Sequence, residues 1–177
     1  MEHAERLLTA AGELFYRRGI RAVGMDDVRA ASGVSLKRLY QCYPSKEALV
    51  VAYLERRDER WMSSLTSYVA EHGDSVEAVF GWLERWFAED GFRGCGFVNA
   101  YGELGATSEA VAGVVRRHKR RLRDYLRGLV PDDTLADQLL VLVDGATVTA
   151  MVDPEHGARA ARAAGEAARA LTAACPR

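Results

Sequence analysis

The sequence predicts an all-α protein in two parts, a trihelical head followed by a helical body. Three observations predict it. Apolar residues recur at helical spacing in nearly every segment, no segment alternates as a strand does, and only 4 of the 177 residues are proline. The length suits one domain, or a small domain joined to a larger one. Apolar residues at 49% and charged residues at 28% fit an ordinary folded chain and exclude a disordered, collagenous or disulfide-scaffold protein. With 24 basic against 25 acidic residues, any basic surface for a nucleic acid must be local.

The elements follow in order. A first helix is predicted from about Glu2 to Arg18, with Leu7, Leu8, Ala11, Leu14 and Phe15 on one face and Gly19 ending it. A short helix from about Met25 to Ser32 carries Met25, Val28 and Ala31 at spacings of three, and Gly33-Val34-Ser35 breaks it. A third runs from Ser35 to about Gln41. Pro44 is expected to open a long helix to about Glu71, with Glu47 in its first turn to complement the dipole. Ser75 to Glu89, Phe97 to Leu104 and Ser108 to Leu129 read as further helices. Pro131-Asp132-Asp133 precedes one ending near Val152, and an Ala-rich helix follows Pro154. The boundary between head and body is placed at residue 45, giving 1–45 and 46–177.

The segment from Met25 to Tyr40 is the informative one. Two short amphipathic helices meet at a glycine turn, which is helix-turn-helix spacing. Gly33 suits the positive φ such a turn needs. Val34, Leu36 and Leu39 are expected to lock the second helix against Val28 and Ala31. Ser35 is a natural N-cap for that helix. A helix of this size fits the major groove and offers its first residues to base edges. An ordinary helical hairpin has the same spacing.

This stretch resembles the TetR family of transcriptional regulators. The resemblance rests on Phe15-Tyr16-Arg17-Arg18-Gly19, Asp27-Val28, Ala31-Ser32-Gly33-Val34-Ser35, Leu39-Tyr40, Tyr43, Ser45-Lys46-Glu47 and Leu49. It implies a homodimeric regulator with a DNA-binding head and a ligand-binding, dimerising body, usually a repressor that a small molecule releases from double-stranded operator DNA. By the same resemblance Ser35, Lys37 and Arg38 face the groove, Tyr40 touches the DNA backbone or packs, and Lys46 meets a phosphate. Arg38 is suited to a guanine edge. Val23-Gly24 stands where the family commonly has a hydroxyl residue, which leaves the Gly24 amide as the phosphate donor. Gln41-Cys42 replaces the family's usual tyrosine and histidine, which makes Gln41 a DNA-contact candidate and Cys42 a candidate redox switch. Residues 1–60 hold 11 basic against 9 acidic side chains, a modestly basic head.

In the body, Trp61, Trp82, Trp86 and Phe97 are candidate walls of an effector pocket, with Asn99, Glu103, His118 and Thr147 as its polar anchors. Aromatic residues on helices more often pack a core, and a histidine on an apolar face is more often a satisfied core residue. The basic run Arg116–Arg123 reads as a solvated helix face, or else as an attraction for an anionic effector. From Leu135 to Val152 more than one face is apolar, and Gly145 and Ala146 permit close approach. With Ala158, Ala161, Gly165, Ala168 and Leu171 this predicts a dimer built from the last two helices, the other reading being an intramolecular bundle.

No chemistry of catalysis is visible. Cys42, Cys95 and Cys175 form no CxxC pair, the histidines lack HExxH spacing, and Gly91–Gly96 follows no strand. The sequence therefore predicts neither an enzyme nor a metal or cofactor site. The polar N-terminus and the short apolar run Leu139–Val143 predict a cytoplasmic chain with no membrane partner. The alternative to a regulator is a helical protein-binding adaptor whose head does not grip DNA.

Overall fold

The structure is a computed structural model and describes residues 2–174; Cys175 lies outside them. The described residues form nine α-helices and one short 3-10 turn, with no strand. The helices are α1 (Glu2–Arg18), α2 (Met25–Ser32), α3 (Leu36–Cys42), α4 (Lys46–Glu71), α5 (Val76–Phe87), α6 (Gly96–Leu104), α7 (Glu109–Leu129), α8 (Asp133–Val152) and α9 (Gly157–Ala173).

Side-chain caps set most helix starts. Ser35 Oγ accepts the Arg38 amide at 3.4 Å, Ser75 Oγ that of Ala78 at 3.2 Å, Ser108 Oγ that of Val111 at 3.1 Å and Asp132 Oδ1 that of Leu135 at 2.9 Å. The start of α4 corrects the expectation for Pro44. Ser45 is the cap, accepting the Ala48 amide at 3.0 Å, so Pro44 precedes the helix rather than opening it. The 3-10 turn Pro154–His156 was also not foreseen as an element.

The chain divides into two compact units. One takes the chain up to Glu59 together with Gly96–Arg117; the other takes Arg60–Cys95 and the chain from His118 onward. Hence α4 and α7 each contribute to both, and α6 belongs with α1–α3. In the first unit α1 packs on α2 and α3. Leu7, Ala11, Val23, Val28, Leu39, Leu49 and Leu54 have no exposed surface, and the Phe15 and Tyr53 rings meet edge to face at 5.7 Å. Arg6 reaches across to the Ser32 carbonyl at 2.7 Å, and Arg56 of α4 ties to Glu5 of α1 at 2.5 Å.

In the second unit α5, α8 and α9 pack together over a core that includes Leu65, Val69, Leu83, Leu122, Leu126, Leu139 and Val143. The small residues of α9 are used inside the chain. Ala161 and Ala168 have no exposed surface, and a Cβ on Gly165 would lie 3.1 Å from the Phe80 Cβ. Contrary to their expected assignment, these three positions pack within the chain rather than against a second copy, whereas Ala158 of the same expected stripe is exposed.

The other half of that assignment, α8, shows two faces. Leu135, Ala136, Leu139, Val143, Ala146, Thr147 and Ala150 are buried, whereas Val141, Val148 and Val152 are 71%, 43% and 75% exposed. Gly145 lies on the exposed face with nothing within 4 Å of its Cβ position. By length and composition α8 is also apolar enough to cross a bilayer, which the short run Leu139–Val143 did not suggest. A packed core helix passes the same test, and 39% of this stretch is buried in the fold.

Candidate nucleic-acid interface and the body candidates

The head presents α3 as an exposed helix. Gly33 takes the left-handed conformation at φ 65°, and its amide closes α2 on the Arg29 carbonyl at 3.0 Å. The chain then extends through Val34 and Ser35 into α3, whose only buried side chain is Leu39. Ser35, Lys37, Arg38, Tyr40 and Gln41 are all exposed. Leu36 is too, at 41%, which corrects its expected place in the core. It sits one turn before Tyr40, itself 46% exposed. A seven-residue helix anchored by one leucine has little buried face, so an apolar residue in its first turn need not point inward. Leu36 thus joins the candidates on this exposed face, one that the sequence did not single out. Cys42, last in α3, is half-buried.

Two further DNA-contact candidates have other engagements. The Gly24 amide donates to Asp27 Oδ2 at 2.7 Å, the reciprocal half of a capping box, so it is not the free phosphate donor that was expected. Asp27 also meets Arg18 at 3.3 Å. The Gly24 amide, then Arg18 and Lys46, hold the Asp27 carboxyl below its usual range against a desolvation that raises it. Lys46 is partly buried. Burial lowers its pKa, while Glu103 and Asp27 oppose that shift.

Glu103 was expected among the effector anchors. Its two carboxylate oxygens accept the amides of Ile20 at 2.9 Å and Arg21 at 2.7 Å, so it bonds the turn between α1 and α2. Phe97, fully buried, and Asn99, half-buried, lie in this first unit as well.

The second unit brings together Trp61, Trp82, Trp86 and His118. Trp61 meets Trp82 at 4.8 Å, Trp86 at 5.6 Å and His118 at 5.2 Å, each edge to face, and Trp82 and Trp86 stack at 5.3 Å. Trp82 Nε1 donates to Ser64 Oγ at 3.1 Å. Phe92 continues the cluster against Trp86 at 5.1 Å. The rings contact one another, and Trp82 and Trp86 belong to the unit's buried core. Thr147 is buried on α8, its hydroxyl donating to the Val143 carbonyl at 2.7 Å. The effector residues are thus split, with Phe97, Asn99 and Glu103 in one unit and the aromatic cluster with Thr147 in the other.

A cleft of about 420 Å³ does open in the first unit, lined by Glu55, Arg56, Asp58 and Glu59 of α4 and by Val114 and Arg117 of α7. Its lining is charged and partly internally paired, Arg117 with Glu55 at 3.1 Å. The basic run on α7 is likewise paired: Arg116 with Glu109, Lys119 with Asp144, and Arg123 with Asp137 at 2.5 Å. These pairs make it an ion-paired helix face. Among the described residues no group of three His, Cys, Asp or Glu is arranged to hold a metal ion.

A capped, exposed second helix behind a left-handed glycine turn in an all-α chain is the geometry of a helix-turn-helix. Comparison with known proteins narrows the class. Residues 7–53 match the model for bacterial regulatory proteins of the tetR family. A solved TetR-family transcriptional regulator from Streptomyces coelicolor is 27% identical, with a TM-score of 0.86 over 97% of this chain and 96% of that one. The helix-turn-helix-type transcriptional activator FasR of Mycolicibacterium smegmatis is 36% identical over 91 residues, which span 48% of this chain and 42% of FasR. The multidrug-binding protein EbrR, solved with malachite green, shares the fold at 17% identity and a TM-score of 0.78 over 96% of this chain and 97% of its own. Residues 7–53 thus carry a tetR-type DNA-binding head, and the whole chain has the fold of a TetR-family transcriptional regulator.

Proposed function

We propose that this regulator binds an inverted-repeat operator as a homodimer, represses by occupying it, and is released by a small molecule, with DNA binding in residues 1–45 and ligand binding and dimerisation in 46–177. The observation that carries the reading is the exposed first turn of α3, where Ser35, Leu36, Lys37 and Arg38 stand together above a single buried leucine. Arg38 pairs bidentately with a guanine, Lys37 reaches a base or a phosphate, and Leu36 meets a thymine methyl. Tyr40, Gln41 and Lys46 hold the backbone. Support for a homodimer is the uncovered stripe of Val141, Gly145, Val148 and Val152 on α8. Two-fold related heads then read half-sites about 34–36 Å apart, or a multiple of that.

Support for ligand response is the fold shared with EbrR. The ligand site in this reading is the second unit's aromatic cluster, where an apolar effector must part rings that now touch. Because FasR is an activator, repression is the part of the proposal that needs its own measurement. The test is selection from a random DNA pool by the purified protein, followed by a reporter carrying the selected site across its promoter. A palindromic selected site and reduced transcription are expected. No enriched sequence at low salt defeats the DNA-binding reading, and increased transcription defeats repression. Effector release is read from the fluorescence of Trp61, Trp82 and Trp86, the protein's three tryptophans. A compound that frees the DNA without changing that fluorescence acts elsewhere.

A further inference from the structure

Glu103 lies in the last turn of α6, and the two amides it accepts, those of Ile20 and Arg21, are 83 and 82 residues earlier in the chain. Helix α1 ends at Arg18, and Gly19 turns the chain in the left-handed conformation at φ 86°. The two amides that follow belong to no helix. The carboxylate takes both at once, at 2.9 and 2.7 Å, and hydrogen bonds to an ionised acceptor are roughly twice as strong as neutral ones. Gly19 is packed beneath it, since a Cβ there would lie 3.3 Å from Glu103 Oε1. Lys46 at the start of α4 feels both Glu103 and Asp27, and Asp27 in turn holds the Gly24 amide and Arg18. One carboxylate thus ties the turn after α1 to the end of α6, with the charge of Lys46 at the start of α4 in its field.

We propose that Glu103 is a positioning residue for DNA recognition, fixing the turn from which the helix-turn-helix departs. The inference rests on the DNA-binding reading and adds a residue that touches no DNA. Its mechanism is preorganisation. Helix α3 is carried on α1 and α2, which pack on each other and on it, so the heading of the α1–α2 turn sets the heading of α3. With the turn released, α3 samples a wider range of orientations, and that freedom must be lost again on each binding event.

Glu103→Asp is the deciding variant, because it keeps the charge beside Lys46 and withdraws the oxygens by one methylene. Binding to the duplex that the wild-type protein selects from a random pool should weaken about tenfold. The salt dependence should stay unchanged, since no phosphate contact is removed. Amide hydrogen exchange should speed up at Ile20 and Arg21 while the amides of α2 and α3 keep their protection. Glu103→Gln, which keeps the reach but only one acceptor oxygen, should expose one of the two amides. The proposal is overturned if Glu103→Asp leaves either amide as protected as before, or leaves affinity equal to or tighter than wild type. Equal deprotection throughout α2 and α3 also overturns it, because that marks a general stabilising role. If the wild-type protein selects no duplex, the DNA-binding reading has failed, and the exchange data alone then judge the latch.

Discussion

Trp86→Ala separates a packed core from a pocket wall. Trp86 is 7% exposed and touches four rings: Trp61 at 5.6 Å, Trp82 at 5.3 Å, Phe87 at 5.6 Å and Phe92 at 5.1 Å. Truncating a buried tryptophan costs about 3–5 kcal/mol through lost transfer energy and the cavity left behind. Each aromatic pair adds roughly 0.5–1.5 kcal/mol beyond its buried area, though neighbouring pairs do not sum. The upper half of the range, about 4–5 kcal/mol, is therefore expected. A chain of this size loses about 2–4 °C of Tm per kcal/mol, so the midpoint should fall by roughly 8–20 °C. Thermal unfolding followed by circular dichroism reads the shift. Trp86→Phe, which keeps much of the volume, should lose clearly less. The reasoning is refuted if Trp86→Ala lowers the midpoint by less than about 3 °C, since the ring would then border space that was already open. A large loss means that an effector entering here must rearrange rings, and that its binding energy has to cover that cost.

Three further outcomes follow from the same contacts. Arg38→Ala, on an exposed position of α3, should weaken binding to the selected duplex by about 1–3 kcal/mol and relax one base position in a repeated selection, with no change in Tm. Asp27→Asn should be less stable than wild type at neutral pH. The Asp27 carboxyl titrates below 3.8 in the fold, so its contribution is present above that pH and is lost as pH falls through the depressed value; the stability gap between the two proteins should narrow below pH 3.8. Gly145→Arg finds nothing within 4 Å of its Cβ position, so the single chain should fold normally while sedimentation shows a monomer; a dimer would remove α8 from the interface.

Much of this fold is legible in the sequence because local chemistry fixes it. Ser35, Ser75 and Asp132 cap the helices that their positions announce, and Gly33 turns where helix-turn-helix spacing requires a left-handed residue. The misreadings turn on which of several possible partners a residue finds. Pro44 and Ser45 both signal a helix start, and only the Ala48 amide bonding to Ser45 decides between them. Glu103 looks like a pocket anchor in sequence because nothing near it reveals that Ile20 and Arg21 lie against it. Leu36 looks like core because it is leucine, yet one buried residue, Leu39, suffices to seat so short a helix. The stripe Ala161, Gly165 and Ala168 has the same pattern whether the facing helix comes from the same chain or a second one. Phe80 behind Gly165 settles it for this face.

Helix α8 shows how one composition serves two demands. Its inner face is apolar because α5 and α9 pack on it, with Leu139 and Ala136 fully buried. Its outer face is apolar without any partner in the same chain, although Val141 and Val152 keep about three-quarters of their surface exposed. Solvent does not select valine at 141, 148 and 152, one side of a helix at spacings of seven and four. Together the two faces explain why, among the described residues, α8 alone has the length and composition of a bilayer-crossing helix. Lipid against the outer face would also bathe the rim of the bundle, where Asp144 pairs with Lys119 and Asp137 with Arg123. Charges near the middle of a bilayer are costly, whereas at the rim of a protein interface they stay in water. In the proposed homodimer a second copy of the same helix, crossing at the open position of Gly145, would cover the valines and leave those ion pairs solvated.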